Sequence, residues 1–232
     1  MSKHSLISII FFVVILFLMI ACKKSDTHDP KEPHAFKVVD IDGNKYDTIH
    51  IGTQVWLKQN LKVTRYRNGD SICNIKTNND WIQSGSGAWC CYSNDTNNMR
   101  IYGCLYNLYA VQDPRGICPQ GWHTPKESDW RLLEFFLVNN FGGKLKEEGT
   151  EHWEFPNTGA TNSTGFTALP GGIRNHGDGL FAELNRNAYF WTDIDTNSTT
   201  NESSRVYMYF TTSAWQGYNN PKDGLSVRCI MD

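Results

Sequence analysis

The sequence lacks the short motifs that mark common catalytic and metal sites. It contains no GxSxG nucleophile elbow, no HExxH and no phosphate-binding glycine–lysine loop, and its seven cysteines form no CxxC pair. The chain also has no excess of positive charge, because it contains 22 Lys and Arg but 24 Asp and Glu, which gives a net charge of −2. We therefore expect no nucleic-acid partner, no metal, no cofactor and no catalysis.

Only one long apolar run occurs, and it lies near the start of the chain. The run "LISIIFFVVILFLMIA" covers residues 6–21, follows Lys3 and precedes Cys22. A basic residue, an apolar stretch and a small residue before the cut are typical of a secretory signal, and a run of about 16 residues is shorter than the ~20 that span a bilayer. Because "LMIAC" resembles a lipobox, we expect residues 1–21 to be a lipoprotein signal peptide and Cys22 to be lipidated. An anchor helix and an ordinary cleaved signal are the alternatives.

This interpretation places the protein at the bacterial cell envelope. Residues 22–36 are charged, contain two prolines and lack an apolar period, so we interpret them as a flexible tether. Residues 37–232 then form one domain, and the lipid on Cys22 makes the membrane its partner. We expect an outer-membrane location, with exposure at the cell surface as a further expectation.

The remaining cysteines favour disulfides, because an exported chain lies where disulfides persist. They are Cys73, Cys90, Cys91, Cys104, Cys118 and Cys229. Six cysteines allow 15 pairings, and the sequence alone does not choose among them. Zinc is the competing interpretation, but the adjacent Cys90 and Cys91 are poorly spaced for chelation. We expect a disulfide-bonded domain, with the pairing open at this point.

Most of the domain has the pattern of short strands between polar loops. Apolar residues flank Asp42 and Gly43, which predicts a hairpin with a type I′ turn. One long helix is predicted near residues 125–139, with Thr124 as its N-cap and Glu127 completing a capping box. Its predicted buried face consists of Trp130, Leu133, Phe136 and Leu137, which recur at helical spacing.

Aromatic residues in polar, loop-like sequence are the candidate ligand-binding residues. They are Trp153, Trp215 and Tyr218. Tryptophan and tyrosine give a large contact area at a small cost in conformational entropy. His123 precedes the long helix, but the sequence places no Asp or Glu to orient it, so we interpret it as structural.

Six blocks of the domain resemble a known family. In chain order they are "DIDGNKYDTIHIGTQVWLKQNLKVTRYRNGD", "YGCLYNLYAV", "ICPQGWHTPKESDW", "GFTALPGGIR", "YFWTDID" and "GLSVRC". Together they look like the Fibrobacter succinogenes major paralogous domain, which is common in Bacteroidetes lipoproteins, over residues 37–232. That family resembles C-type-lectin-like folds, which formylglycine-generating enzymes also use.

The resemblance implies an α+β, C-type-lectin-like domain with small looped antiparallel sheets and with its first and last strands side by side. It also implies a disulfide between Cys118 and Cys229. Cys104 stands where this family usually has lysine. The set Cys73, Cys90, Cys91 and Cys104 is therefore interpreted as particular to this chain.

The resemblance favours binding over catalysis. "EFPN" (154–157) and "WTD" (191–193) are similar to calcium-binding elements of lectins, but neither element is intact. Formylglycine-generating enzymes act through a metal-bound cysteine pair that has no match here. We expect a lipid-anchored envelope protein that binds a glycan or a protein. The alternatives are a structural surface or adhesion subunit and, more remotely, an oxidase of the formylglycine-generating type.

Overall fold

The computed structural model describes residues 37–193, 204–209, 214–218 and 220–232, with residues 204, 205, 214–216 and 218 described as backbone only. Residues 35–232 form a compact unit. The signal peptide, Cys22 and the tether predicted for residues 1–36 lie outside the described residues. Within the described part of the chain, no helix is long and apolar enough to cross a membrane.

The described residues form short strands and short helices. The strands are β1 (Val38–Val39), β2 (Lys45–Tyr46), β3 (Thr48–Ile51), β4 (Gln54–Leu57), β5 (Cys73–Asn74), β6 (Ala88–Cys90), β7 (Leu105–Tyr106), β8 (Trp122–His123), β9 (Ile173–Arg174), β10 (Phe181–Ala182), β11 (Asn187–Trp191), β12 (Ser204–Tyr209), β13 (Ala214–Tyr218) and β14 (Ile230–Met231). The helices are α1 (Asn78–Gln83), α2 (Thr96–Tyr102), α3 (Leu108–Val111), α4 (Glu127–Leu137) and α5 (Phe141–Leu145), and Tyr92–Asn94 forms a short 3-10 turn. The prediction of an α+β fold with small sheets is confirmed.

These strands form small separate sheets. The largest has the order β3-β4-β14-β8, and two three-stranded sheets have the orders β11-β12-β13 and β5-β6-β7. The hairpins β1-β2 and β9-β10 complete the set in the described residues. All pairs are antiparallel except β5 and β6. That parallel pair departs from the predicted antiparallel pattern because α1 lies between its two strands, and a parallel pair needs a crossover of about a dozen residues.

The hairpin predicted around Asp42 and Gly43 is present as β1 and β2, but its turn is not type I′. In this described loop only Gly43 has a positive φ, of 82°, whereas a type I′ turn needs two such residues. The Asp40 carboxylate organises the loop. It accepts the backbone N–H groups of Asp42 and Asn44 at 3.0 and 2.9 Å, and the Tyr46 hydroxyl at 2.7 Å.

A buried segment near the C-terminus, residues 223–230, connects the small sheets. Every residue in it is buried. Gly224 exchanges backbone hydrogen bonds with Arg174, and Leu225 exchanges them with Tyr106. Farther along, β14 pairs with both β4 and β8. The last strand therefore lies beside an N-terminal strand, but that strand is β4 and not β1.

The Arg228 guanidinium lies fully inside the protein and is held by oxygen acceptors. It donates to the carbonyls of Leu57, Lys58 and Phe166 at 3.2, 2.5 and 2.7 Å, and to Asn60 Oδ1 at 2.6 Å. Its Cζ lies 4.4 Å from the centroid of the Phe166 ring. Burial lowers the pKa of Arg228. The guanidinium thus joins the C-terminal segment to β4 and to the loop that contains Phe166.

Arg174 makes a second buried connection of the same kind. It donates to the carbonyls of Ile75, Lys76, Thr77 and Gly179 at 2.5 to 3.1 Å. Its guanidinium also lies over the Trp81 ring, 4.4 Å from the centroid. These contacts fix the start of α1 against β9.

A single disulfide is formed by the described cysteines, between Cys118 and Cys229. The S–S distance is 2.04 Å, the Cα atoms are 6.0 Å apart, and the two residues are 111 positions apart in the sequence. It joins the segment before β8 to the residue that precedes β14. This is the pair that the family resemblance implied.

The other four cysteines of the domain are thiols, which corrects the expectation of further disulfides. Cys73 is exposed, and Cys90, Cys91 and Cys104 are buried. Cys73 pairs across the parallel strands with Ala88. Cys90 packs with Trp81 and Leu105, whereas Cys104 packs in a different cluster with Trp89 and Tyr106. Because Cys90 and Cys104 pack in separate clusters and Cys73 is exposed, the structure does not bring these side chains together as bridges.

The long helix is present but begins later than predicted. Its N-cap is Lys126, not Thr124, and the first-turn Asp129 accepts the Lys126 N–H at 2.8 Å. The reason is tertiary. Pro125 O accepts the N–H of Asp193 at 2.8 Å, and Lys126 forms a parallel bridge with Asp193, so this stretch is extended.

The buried face of α4 is narrower than predicted. Trp130, Leu133 and Leu137 are buried, but Phe136 is 57% exposed. Its ring lies against Gly52, where an added Cβ would come within 2.8 Å of the ring. Phe136 therefore covers the β3–β4 turn from the outside.

Replacing Arg228 with methionine should destabilise the domain strongly. The variant Arg228→Met keeps an apolar stem but leaves buried oxygen acceptors without a donor, and we expect the free energy of unfolding to fall by about 3–5 kcal/mol. Urea unfolding followed by tryptophan fluorescence measures the change. Arg100→Met, at an exposed position of α2, should change it by less than about 0.5 kcal/mol. Equal effects of the two variants would contradict the role of Arg228.

Removing the disulfide should also cost stability. The double variant Cys118→Ser/Cys229→Ser frees a loop of 111 positions, and the chain-entropy model predicts a loss of about 4–5 kcal/mol. The same urea titration under non-reducing conditions measures it. The matched control is Cys73→Ser, which removes an exposed thiol and should leave the midpoint unchanged. A double variant as stable as this control would overturn the prediction.

Candidate ligand-binding cleft

An open surface cleft of about 490 Å³ lies between the loop after α5 and the loop before β11. Its lining residues are Thr150, Glu151, His152, Trp153, Glu154, Phe155, Leu184 and Asn185. Two loops that come together over a buried scaffold are a common arrangement for a binding site. The cleft is therefore the candidate functional site.

Trp153 fixes the floor of the cleft and is not an exposed binding residue. Only 1% of it is exposed, and its indole N–H donates to Ala168 O at 3.0 Å. It belongs to the apolar cluster that also contains Trp130 and Phe166. The structure thus corrects the prediction that Trp153 contacts a ligand, because its ring is used to anchor the loop to the core.

His152 lines one wall of the cleft, and Glu147 holds it from behind. His152 Nδ1 lies 2.9 and 3.0 Å from the two carboxylate oxygens of Glu147. The imidazole also packs edge-on against the Tyr102 ring at 5.8 Å between centroids. The Tyr102 hydroxyl in turn donates to Asn185 Oδ1 at 2.8 Å. Contacts on both sides hold the orientation of His152.

The opposite wall is tied to the first by its backbone. Glu154 N donates to Asn185 O at 2.7 Å, and the Glu154 carboxylate lies 3.0 Å from Arg186 Nε. Asn185 itself has a left-handed backbone, with φ of 65°, a conformation that asparagine tolerates better than most residues. The two loops are therefore joined at the point where the cleft closes.

Asn157 closes the loop that carries most of the lining residues. Its side-chain amide donates to the carbonyls of Glu147 and Gly149 at 2.8 and 2.6 Å. These two bonds join the ends of the segment 147–157, which contains the lining residues 150–155. Together with Trp153 they hold the loop in one conformation, so a ligand would meet a prearranged surface.

Phe155 is the exposed apolar residue of the cleft. Its exposed fraction is 81%, although neighbouring loop residues are polar. The cleft therefore combines one aromatic surface with carboxylate, amide and imidazole groups. Such a set can pack against an apolar face of a ligand and hydrogen-bond to its hydroxyl groups.

Among the described residues, Glu147, Glu151 and His152 are the group that could hold a metal ion. Each offers one ligand atom, and these atoms lie within 4.8 Å of one another. His152 Nδ1 and the Glu147 carboxylate already bond to each other. An ion bound there would therefore have to replace that contact.

The chain matches the model of the Fibrobacter succinogenes major domain over residues 49–231. The chain belongs to this family. The resemblance seen in the sequence is thereby confirmed at the level of the family. No curated protein and no solved structure matches the chain.

The other two predicted binding residues are described by their backbone only. Trp215 and Tyr218 lie in β13, where Trp215 pairs with Tyr207 and Tyr218 with Ser204 along the backbone. Their side chains lie outside the described residues. The predicted lipidation site, Cys22, lies outside them as well.

His123 has two carboxylate partners that the sequence did not reveal. Its Nδ1 lies 2.7 Å from Asp232 Oδ1 and its Nε2 lies 3.3 Å from Asp129 Oδ2. The hydrogen bond to Asp129 is the main cause that raises the pKa of His123, with Asp232 adding to it against the effect of burial. The imidazole therefore links β8, α4 and the C-terminal residue, which fits the structural interpretation.

Sequence reasoning missed Phe155 and the pair His152 and Glu147. In the sequence, Phe155 separates Glu154 from Pro156 and so interrupts the lectin-like element within "EFPN". The signal that could have found it is a large apolar side chain inside a run of charged and polar residues. The pairing of His152 with Glu147 spans five positions in a loop, and no periodic pattern reports it.

The His123 contacts predict a specific dependence of stability on pH. Because the folded pKa is raised, the histidine contributes full stability below its ordinary pKa of about 6.5, and this contribution is lost as pH rises through the folded pKa. The difference in unfolding free energy between the natural chain and His123→Gln should therefore shrink at higher pH. Urea unfolding between about pH 5 and 9 measures it.

The control for this titration is His50→Gln, at an exposed position of β3. The curve of this variant is the baseline for removing a histidine that is exposed. Parallel pH curves for the natural chain and His123→Gln would contradict the link between His123 and its two carboxylates.

Proposed function

We propose that this protein is a lipid-anchored cell-envelope protein whose C-type-lectin-like domain binds a glycan without catalysis. Cys22 carries the lipid, residues 22–36 form the tether, and the domain is held at the outer membrane. The cleft lined by residues 150–155, 184 and 185 holds the ligand. The single observation that carries the proposal is Phe155, an exposed aromatic ring at the edge of a polar cleft that is fixed from below.

The groups in the cleft suit a carbohydrate. A sugar ring has a face of C–H groups that can cover an aromatic side chain, and its edge carries hydroxyls. Glu151 is exposed, and its carboxylate accepts hydrogen bonds from hydroxyl groups, while the Asn185 amide both donates and accepts. A neutral carbohydrate can form these hydrogen bonds without placing a charge of its own in the cleft.

Rigidity of the loop supports binding as well. Trp153 and Asn157 hold the loop by three hydrogen bonds to backbone carbonyls. A surface that is already ordered loses little conformational entropy when a ligand binds. The proposed site therefore does not need a rearrangement to become competent.

The thiols of the domain favour binding over an oxidase. Cys90, Cys91 and Cys104 are buried. Burial raises the pKa of Cys90 to about 12 and raises the pKa values of Cys91 and Cys104. Reactive cysteines are instead accessible and have lowered pKa values.

Glycan-array binding by residues 35–232 tests the proposal, with Phe155→Ala as the variant. We expect saturable binding to one class of glycan and a loss of about tenfold or more in the variant, because a central aromatic contact is removed. Repeating the array with calcium and with chelator shows whether Glu147, Glu151 and His152 contribute through an ion.

The matched control is Phe135→Ala. Phe135 is also 81% exposed, but it lies on α4 and does not line the cleft. It should leave glycan binding unchanged. Equal losses for the two variants, or no binding to any glycan, would contradict the proposal and favour a protein partner or a structural role.

A further inference from the structure

A second cavity, independent of the cleft, has unpaired hydrogen-bond donors in its wall. It measures about 200 Å³ and lies between the loop 111–118 and the start of α4. Arg67, Gln112 and Thr124 supply its polar groups, and Val111, Ile117 and Trp122 supply apolar surface. We call it the Arg67 cavity.

Arg67 is held in place by Gly116. The Arg67 N–H donates to Gly116 O at 2.9 Å. Gly116 has φ of 69°, and a Cβ added there would lie 2.2 Å from Arg67 Nη2 and 3.0 Å from its Cζ. The guanidinium therefore packs against the backbone of Gly116, and any residue larger than glycine at position 116 would clash with it.

The guanidinium of Arg67 has no acceptor among the residues that the structure describes, in hydrogen bonds or ion pairs. Its neighbours in the sequence differ in this respect. Arg65 pairs with Asp42 at 2.6 Å, and Arg115 pairs with Asp70 and Asp113 at 2.9 and 2.7 Å. Arg67 is partly buried and lines this cavity, so its fork of donors is available there without a protein partner.

Gln112 adds a second donor without a partner. Its Nε2 atom is buried and has no hydrogen-bond acceptor within the described part of the chain. Buried polar groups in native proteins are almost always hydrogen-bonded, and an exception calls for an explanation. Gln112 Nε2 is such an exception, and beside the partly buried Arg67 in the same cavity wall it indicates a ligand that brings acceptors.

The carboxylates at the cavity do not satisfy these donors. Asp113 is engaged by Arg115, whose Nε and Nη2 donate at 2.8 and 2.7 Å. Asp193 has an interaction of its own. The ring nitrogens of His123 are used by Asp129 and Asp232. The positive charge of Arg67 is therefore left for an incoming anion.

We propose that the Arg67 cavity binds a small organic carboxylate. The carboxylate accepts two parallel hydrogen bonds from the Arg67 fork, a geometry that arginine matches, and a further bond from Gln112 Nε2. The short apolar body of the ligand lies against Val111, Ile117 and Trp122. This apolar contact, although it is the smaller part of the cavity wall, is what favours a carboxylic acid over phosphate or chloride.

Isothermal titration calorimetry of the full chain in detergent, with butyrate as the ligand, tests this site. Acetate, inorganic phosphate and chloride are titrated separately for comparison. We expect saturable binding of butyrate, weaker binding of acetate and none of phosphate or chloride. Arg67→Lys should weaken butyrate binding about tenfold or more, because lysine cannot form the bidentate contact. Arg100→Lys, on exposed α2, should leave it unchanged.

Gln112→Glu is a second variant, which tests the site even if Arg67→Lys does not fold. Its carboxylate has nearly the shape of the natural amide and should occupy the Arg67 donors itself. We expect this variant to lose butyrate binding while its thermal midpoint is equal to or above that of the natural chain. Absence of saturable butyrate binding to the natural chain, or butyrate binding that survives both Arg67→Lys and Gln112→Glu, would overturn the proposal.

Discussion

The Arg228 guanidinium is the contact on which the rest of this fold depends. The domain is built from sheets too small to be stable alone, since most strands have two to five residues. What joins them is residues 223–230, a fully buried segment whose backbone bonds to neighbours in several sheets. Arg228 lies within it and donates to the carbonyl oxygens of Leu57, at the end of β4, and of Phe166, in a loop. The disulfide at the next residue, Cys229, secures the same segment to the chain before β8.

This organisation explains how long loops can carry a prearranged cleft. Phe166, whose carbonyl binds Arg228, also packs against Trp130 with 6.0 Å between ring centroids. Trp153 belongs to the same apolar cluster, so the floor of the cleft is continuous with the part of the core that Arg228 organises. The Arg67 cavity has a comparable relation to the disulfide, because Cys118 lines it. Both proposed sites thus lie on loops whose supports are buried.

The sequence predicted the class of fold and the family, because these depend on long ordered blocks and on residue types. The pairing of Cys118 with Cys229 came from the family resemblance, since six cysteines alone leave 15 pairings open, and the further disulfides expected from the other four cysteines are not formed. It predicted the long helix by periodicity but placed Thr124 at its start, since the extended pairing of Lys126 with Asp193 is a tertiary contact. It could not separate Trp153 from Phe155, because both lie in one polar loop and only packing decides which ring is buried. The partners of His123 were out of reach for the same reason, as Asp232 is 109 positions away. The burial of Arg174 and Arg228 could not be predicted either, because arginine side chains are mostly found at the surface.

The most direct test of this account is amide chemical-shift mapping of residues 35–232 with the glycan that array binding selects. If the cleft binds the glycan, the largest shifts fall on residues 150–155, 184 and 185, while residues 223–230 stay unchanged because this buried segment does not move. Shifts that cluster on α4 or at the Arg67 cavity, with the cleft silent, would contradict it.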